Sequence, residues 1–363
     1  MARLVRDHGW KVGVVAQGHA VVEHMLDAIV QAGLPGSVVA KKVGDIGASR
    51  AWTGIKDSGY AKFLEENSTG CVVGGTAWDF VNARRIDRES LDLLVIDEAG
   101  QFSLAHTLAV SVAAQRLLLL GDPQQLPQVS QGIHPEPVND SALGWLIGEH
   151  ATLPEDLGYF LDLTWRMHPD LAAKDSKLSY EGRLRAHPRT AERELAGVEP
   201  GLHVVHLDHQ DCSVESIAEA DEVLRQVESL VGTPWTAPDL FEGTRPLIAE
   251  DFLVVAPYNA QVHTVRRALD ERGFADVLVG TVDKFQGREA AVVIVSMTAS
   301  SVADVPRGID FLLDRNRVNV AISRGQWLAV LIRSGRLTQF MPTSTTGLLQ
   351  LGAFVGLCEE AAR

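Results

Sequence analysis

Two adjacent carboxylates, Asp97 and Glu98, close the apolar run Leu93-Leu94-Val95-Ile96 and are followed by Ala99-Gly100-Gln101. A pair in that position suits metal-assisted nucleotide hydrolysis. The first carboxylate holds Mg²⁺, usually through water, and the second polarises the attacking water. Adjacent residues suffice because the chain leaves the strand there, and parallel α/β sheets bind ligands at the carboxyl ends of their strands. The plainer alternative is a strand followed by a solvated acidic turn. A second apolar run, 116–120, ends in Gly121-Asp122-Pro123-Gln124-Gln125-Leu126-Pro127. An amide in such a turn can contact a γ-phosphate or orient water, although Gly-Asp-Pro alone is also a common turn. Standing one crossover apart, the two motifs reinforce each other.

Elements must position these groups. Short apolar runs recur at 11–16, 70–75, 91–96 and 116–120, then at 202–207, 252–256, 277–280, 290–295 and 328–332. Many are continuously apolar, the pattern of strands buried on both faces. Between them, 216–231 places Ile217, Ala220, Leu224, Val227 and Val231 at helical spacing, with Ser216 and Glu219 as a capping box and Gly232 as a stop. Residues 259–272 read as another helix, stopped by Gly273. Alternating strands and helices predict an α/β fold with largely parallel sheets covered on both faces. At about 150 residues per domain, 363 residues suggest two domains. The Pro-, Gly- and Glu-rich stretch 134–157 marks the boundary, giving domains 1–157 and 158–363.

Composition narrows the classes. With 33 Lys and Arg against 47 Asp and Glu, the net charge is −14. A wholly basic nucleic-acid binder is excluded, but a local basic cleft on an acidic body is not. Cys71, Cys212 and Cys358 form no CxxC pair, which argues against a zinc ribbon or disulfide framework and fits a reducing compartment. No apolar run approaches the ~18–20 residues that a bilayer needs, and the N-terminal stretch lacks a signal-peptide core. The expectation is a soluble cytoplasmic protein without a membrane partner.

Six motifs occur in order: DEAGQ (97–101), GDPQQLP (121–127), TWRMHP (164–169), PYNAQ (257–261), VDKFQGRE (282–289) and NVAISRG (319–325). The series resembles superfamily 1 helicases, in the branch of the nonsense-mediated-decay helicase and the Okazaki-fragment nuclease-helicase, over residues from about 11 to beyond 332. The resemblance implies two RecA-like, AAA-type motor domains with ATP and Mg²⁺ between them and single-stranded DNA or RNA crossing their top. Asp97 then resembles the Mg²⁺-associated aspartate and Glu98 the catalytic base. Gln125, with Asp122 beside it, is similar to the γ-phosphate sensor. Arg166 and Arg324 look like arginines of the second domain that reach that phosphate. Such an arginine is worth ~10³–10⁵ in rate where measured. Gln286, Gly287 and Glu289 match the motif that contacts nucleotide and transmits closure. The branch implies 5′-to-3′ movement. The terminal GLLQLGAFVGL looks like the end of bacterial RecB-like nuclease-helicase fusions, implying a RecB-like nuclease module, upstream or separate, as a partner.

On the strand-binding side, Gln17 and His19 lie in a segment resembling the family's first such motif, with Gly18 where a small hydroxyl residue is common. Thr76, after Gly74-Gly75, resembles a second phosphate contact, and Tyr258 and Gln261 a third set. Phosphate contacts of this kind carry little sequence information. The basic pairs Lys41-Lys42, Arg84-Arg85 and Arg266-Arg267 read more readily as solvated faces. Gln128 and Gly325 depart from the family's usual residues.

One part is missing. No G-x-x-x-x-G-K-[ST] phosphate cradle occurs, nor any Gly-Lys dipeptide. The stretch 54–59 has the wrong spacing. The simplest expectation is a first domain truncated at its start, lacking its phosphate-bearing strand and exposing a strand edge and apolar surface. Other readings are a catalytically dead nucleic-acid-binding remnant, a subunit completed by a chain that carries the cradle, or a kinase- or GTPase-like switch, which leaves the six motifs unexplained. His203, His206 and His209 suggest metal binding by count. At strand spacing, however, the first two face opposite sides.

Overall fold

The computed structural model describes residues 1–361 except 46–48, 127–131, 133, 136, 139, 149 and 286. The chain divides into two compact units, Met1–His150 and Ala151–Arg363.

The first unit is built on six strands: β1 (Lys11–Val15), β2 (Val39–Lys42), β3 (Thr53–Ile55), β4 (Cys71–Gly75), β5 (Leu93–Ile96) and β6 (Leu117–Leu119). They pair in the order β3-β2-β4-β1-β5-β6, all parallel. The central strands are apolar apart from Lys11 at the start of β1, because both faces are covered. The helix His19–Gln31 presents Val22, Leu26 and Ile29 to the core, spaced as one helical face. At the sheet's outer edge, β6 leaves Leu117 and Leu118 40% and 42% exposed. Successive residues point to opposite faces, so both faces of that edge are open.

In the second unit, β7 (Leu163–Thr164) and β8 (Arg185–Ala186) form a short parallel pair. β9 (Glu194–Leu195), β11 (Pro234–Thr236) and β12 (Thr244–Pro246) form an antiparallel ribbon ordered β12-β11-β9. The main sheet joins β10 (Gly201–Leu207), β13 (Phe252–Val255), β14 (Leu278–Gly280), β15 (Ala290–Ser296) and β16 (Gly325–Ser334), again all parallel, in the order β10-β16-β15-β13-β14. All ten residues of β16 are buried. The fold is thus α/β with two large parallel sheets.

The helix Ile217–Leu230 is capped by Ser216, whose hydroxyl accepts from the Glu219 amide. The expected reciprocal bond from Glu219 is not made. Its carboxylate turns inward, accepting the Ser296 hydroxyl at 2.6 Å and the Thr298 amide at 2.8 Å, with His209 Nε2 at 3.0 Å. Gln261 takes the Ser216 amide in its place, so the Glu219 carboxylate is left for three interior partners.

Trp235 anchors the second core. It is 1% exposed, with its ring 5.9 Å from that of Trp327 at a 69° interplanar angle. Trp235→Ala should therefore lower unfolding free energy by about 3–5 kcal/mol, read from urea unfolding. A change below 1 kcal/mol, roughly what an exposed site gives, would show that this ribbon is not part of the core.

Candidate functional site

Parallel pairing brings the ends of β4, β1, β5 and β6 to one edge of the first sheet, so Thr76, Gln17, the Asp97–Glu98 pair and Asp122 follow one another across it. The acidic turn is bonded on both sides. The Asp97 amide donates to the Val15 carbonyl at 2.9 Å and the Ala99 amide to the Leu120 carbonyl at 2.7 Å. A Cβ on Gly100 would lie 2.2 Å from the Asp122 carbonyl oxygen, and one on Gly121 would lie 2.6 Å from the Ala99 nitrogen. The two turns therefore touch through their backbones, and glycine at both positions permits it.

Glu98 has φ 54°, in the left-handed region that non-glycine residues seldom enter. Such a conformation costs on the order of 1–3 kcal/mol and persists where the surroundings enforce it. Asp97, half-buried, has its carboxyl pushed above the usual range by burial. Asp122 Oδ1 accepts the Gln124 amide at 2.9 Å and Oδ2 accepts Gln125 Nε2 at 3.1 Å, so the Gln125 side chain is held against the acid. Gln17 donates to the Gln101 carbonyl, which ties the end of β1 to the acidic turn. Both Gln17 and His19 are exposed.

A desolvated carboxylate favours a nearby cation. Mg²⁺ commonly takes one or two protein carboxylates and completes its shell with phosphate and water. Asp97 fits that donor set. Among the described residues, no cluster of three or more ligating side chains offers a complete protein cage.

Thr76 differs from expectation. Its hydroxyl donates to Asp79 Oδ2 at 3.1 Å, closing the cap of the short helix Ala77–Phe80. Asp79, 1% exposed, also takes Arg85 Nη1 at 2.8 Å and Lys42 Nζ at 3.2 Å. The hydroxyl proton is directed into the fold rather than toward a strand. The basic pairs are engaged likewise: Lys41 meets Glu23 at 2.8 Å and Arg266 meets Asp270 at 3.0 Å.

In the second unit, Arg166 Nε donates to Glu289 Oε2 at 2.9 Å, and its Nη1 donates to the Ser323 carbonyl at 3.2 Å. Gln326 Nε2 donates to the other Glu289 oxygen at 3.0 Å. The Ala290 amide reaches the Arg324 carbonyl at 3.1 Å, and the His168 amide reaches the Gln326 carbonyl at 2.8 Å. Three of the six motifs thus meet at the N-terminal edge of β15 and β16. Gly287, at φ 73°, is exposed nearby in sequence, whereas Gln286 lies outside the described residues. Arg324 lies inside the fold. It is 2% exposed and its Nε donates to the Val320 carbonyl at 3.0 Å, so its guanidinium is not presented at a surface.

The opposite edge of the same sheet holds PYNAQ. Gln261 also faces inward. It is fully buried, its Oε1 accepts the Ser216 amide at 2.7 Å, and its Nε2 donates to the Ser216 carbonyl and the Ser296 hydroxyl, each at 3.1 Å. A side-chain amide so bonded fastens a helix start to a strand end, with both of its N–H donors in use. Tyr258 is 8% exposed, and burial raises its phenol pKa.

Sequence reasoning missed Arg193 and Asp239. Arg193 is fully buried and bidentate to Asp239, at 3.0 and 2.6 Å. Its remaining N–H groups hold the Arg166 and Trp165 carbonyls. No local motif flags a pair 46 residues apart.

Residues 141–335, more than half the chain, match a family model described as an AAA domain, and residues 1–138 match a second model of the same description. The chain belongs to the AAA domain family. Beyond that family, its similarity is to proteins named as helicases. It is similar to the DNA replication ATP-dependent helicase/nuclease DNA2 of Xenopus laevis, 27% identical over 294 residues that cover 74% of this chain and 27% of that protein. The DNA-binding protein SMUBP-2 of Rattus norvegicus is 27% identical over 261 residues, covering 66% of this chain and 24% of its own length. The DNA polymerase alpha-associated DNA helicase A of Schizosaccharomyces pombe is 28% identical over 253 residues, covering 67% of this chain and 37% of that protein. The AAA chain thus spans between 24% and 37% of these relatives. No helix among its described residues is long and apolar enough to cross a membrane.

Arg193 holds the Asp239 carboxyl below its usual range. A carboxyl depressed in the folded state contributes stability that is complete above its ordinary value of 3.8 and is lost as pH falls through the folded value. Asp239→Asn strands a buried guanidinium and should cost about 3–5 kcal/mol at neutral pH. The gap from wild type should narrow as pH falls below 3.8, measured by urea unfolding across that range. An equal gap at every pH would contradict the ion-pair account.

Proposed function

We propose that the chain is the motor part of an ATP-dependent helicase that couples nucleotide hydrolysis to movement along single-stranded DNA or RNA, 5′ to 3′ by its branch. The observation that carries this reading is the meeting of Arg166, Glu289 and the 323–326 segment, from motifs 123 and 157 residues apart, through direct side-chain bonds. Asp97 serves as the Mg²⁺-associated carboxylate and Glu98 as the base that orients water. The metal, when bound, supplies positive charge against the β- and γ-phosphates. Asp122 and Gln125 sense the terminal phosphate. Arg166 neutralises developing charge once its bond to Glu289 is exchanged for a phosphate oxygen, and Arg324 does so after leaving the Val320 carbonyl. Gly287 and Gln286 complete the nucleotide side, and Gln17, His19 and Tyr258 serve the strand. A nuclease module working beside this motor, suggested by the name of the Xenopus relative, and a cytoplasmic setting, supported by three free cysteines, belong to the same proposal.

The missing Gly-Lys cradle favours a second reading for these 363 residues. They bind strand but turn over ATP slowly, as a remnant or as a subunit that needs the cradle from a partner. Fluorescence anisotropy and ATP turnover with and without a single strand test both. Strand binding should weaken with salt. Any strand-stimulated turnover should fall by about 10²–10⁴ in Glu98→Gln, with strand affinity unchanged. Turnover that survives Glu98→Gln removes Glu98 as the base. Absence of strand binding in the unaltered protein overturns the function.

A further inference from the structure

The side chain of Arg166 is held by groups from other motifs, but the backbone beneath it is held by a residue that belongs to none. Arg193 stands where the short 3₁₀ turn Pro188–Glu192 gives way to β9. Its side chain is fully buried. Nε and Nη2 grip the two Asp239 oxygens at 3.0 and 2.6 Å. Nη2 also donates to the Trp165 carbonyl at 3.1 Å, and Nη1 donates to the Arg166 carbonyl. One guanidinium thus fastens both peptide groups that flank the Arg166 Cα.

The ribbon that supplies this fork is tied to the strand edge that Arg166 reaches. Glu194 of β9 pairs with Thr236 of β11, and Asp239 lies just beyond. Trp235 of β11 packs on Trp327, whose Nε1 donates to the Val198 carbonyl at 3.1 Å. Gln326, the neighbour of Trp327, holds Glu289 at 3.0 Å, and Glu289 takes Arg166 Nε at 2.9 Å. The contacts form a closed ring from the Arg166 backbone to its own guanidinium, and Arg193 is the link on the backbone side. Stability alone does not call for this ion pair, because well-packed apolar side chains often serve as well in its place. Apolar side chains, however, offer no N–H to two carbonyls. A lysine is a point charge on a flexible stem, whereas the planar arginine fork meets several acceptors in fixed directions.

Resting on the helicase reading, we infer that Arg193, held by Asp239, is a positioning residue for Arg166. A long side chain delivers its charge to a phosphate oxygen only when its Cα is fixed. A misplacement of about 1 Å by a change outside the chemistry can cost about 10² in rate. Arg193 acts through the backbone and touches no reacting atom. The Arg166 side chain, partly exposed, is left able to exchange Glu289 for another anion.

The test removes the N–H groups and keeps the packing. In the full chain, Arg193→Met combined with Asp239→Leu replaces the pair by apolar side chains. Arg193→Lys is the single-site companion and gives the same readings where the paired variant does not fold. Thermal midpoints report folding. ATP turnover with a saturating single strand is measured beside the Arg166 Nε–H resonance, assigned through Arg166→Lys. The expected result is a fall in kcat of about 10²-fold with KM held within about twofold. Adding Arg166→Ala should cost nothing further, because changes that act through one group are not additive. The resonance should shift in each variant as the bond to Glu289 is lost. A loss that adds to that of Arg166→Ala, or a resonance that stays in place, overturns the positioning role and leaves the helicase reading standing. An unaltered protein that turns over no ATP counts against the motor reading alone. The resonance then decides for Arg193: its shift supports the role, and its persistence overturns it.

Discussion

A parallel strand can pair with its neighbour only after the chain has returned to the edge from which it started. Both large sheets obey this constraint, and the placement of every candidate group follows from it. In the first unit, all six strands finish at one edge, which gathers Gln17, Thr76, Asp97, Glu98 and Asp122 from segments dispersed over about a hundred residues. In the second unit, the same rule sorts residues onto two edges. Strand starts carry Glu289 and Arg324, and strand ends carry Tyr258 and the segment beyond Ser296. The groups proposed for nucleotide and for strand thereby lie at opposite ends of the same β-strands. A shift along β15 would move both together.

The polar groups inside the second unit act as fasteners. Glu219, His209, Ser296 and Gln261 form a connected interior network that pins two helix starts to the end of β15. Arg193 and Asp239 do the corresponding work near Arg166. Buried polar groups of this kind are tolerated when each finds its partners, and they then fix one arrangement over near alternatives. The Arg166–Glu289 pair is different. It is partly exposed, so it adds little to stability and can be exchanged for another anion at small cost.

The fold class and nearly all the central strands were legible because buried parallel strands write themselves as continuous apolar runs. The short edge strands β2 and β3 and the ribbon β9, β11 and β12 were not. Segments such as Thr53-Gly54-Ile55 and Pro234-Trp235-Thr236 are too short to show a period. In the site, motif order pointed to Asp97, Glu98, Arg166 and Glu289; the fold sets the first two at a sheet edge and bonds the last two to each other. Motif order did not show that Gln261 faces inward, because a residue's presence in a motif does not say which way its amide faces. That depended on Ser216, 45 residues earlier in the chain. Ser216 was also read as half of a capping box whose other half, Glu219, proves to serve the interior. Arg193 and Asp239 left no local trace, since a long-range ion pair has no period and no fixed spacing.

The open edge of β6 has a consequence for how the protein behaves in bulk. Two leucines exposed on opposite faces of a strand at the rim of a sheet make a seam along which a second copy can zip. The net charge of −14 works against such contacts by mutual repulsion. That repulsion reaches only ~8 Å at physiological ionic strength and ~3 Å at 1 M. Added salt therefore weakens the barrier while leaving the seam intact, and the protein's colloidal stability falls as ionic strength rises.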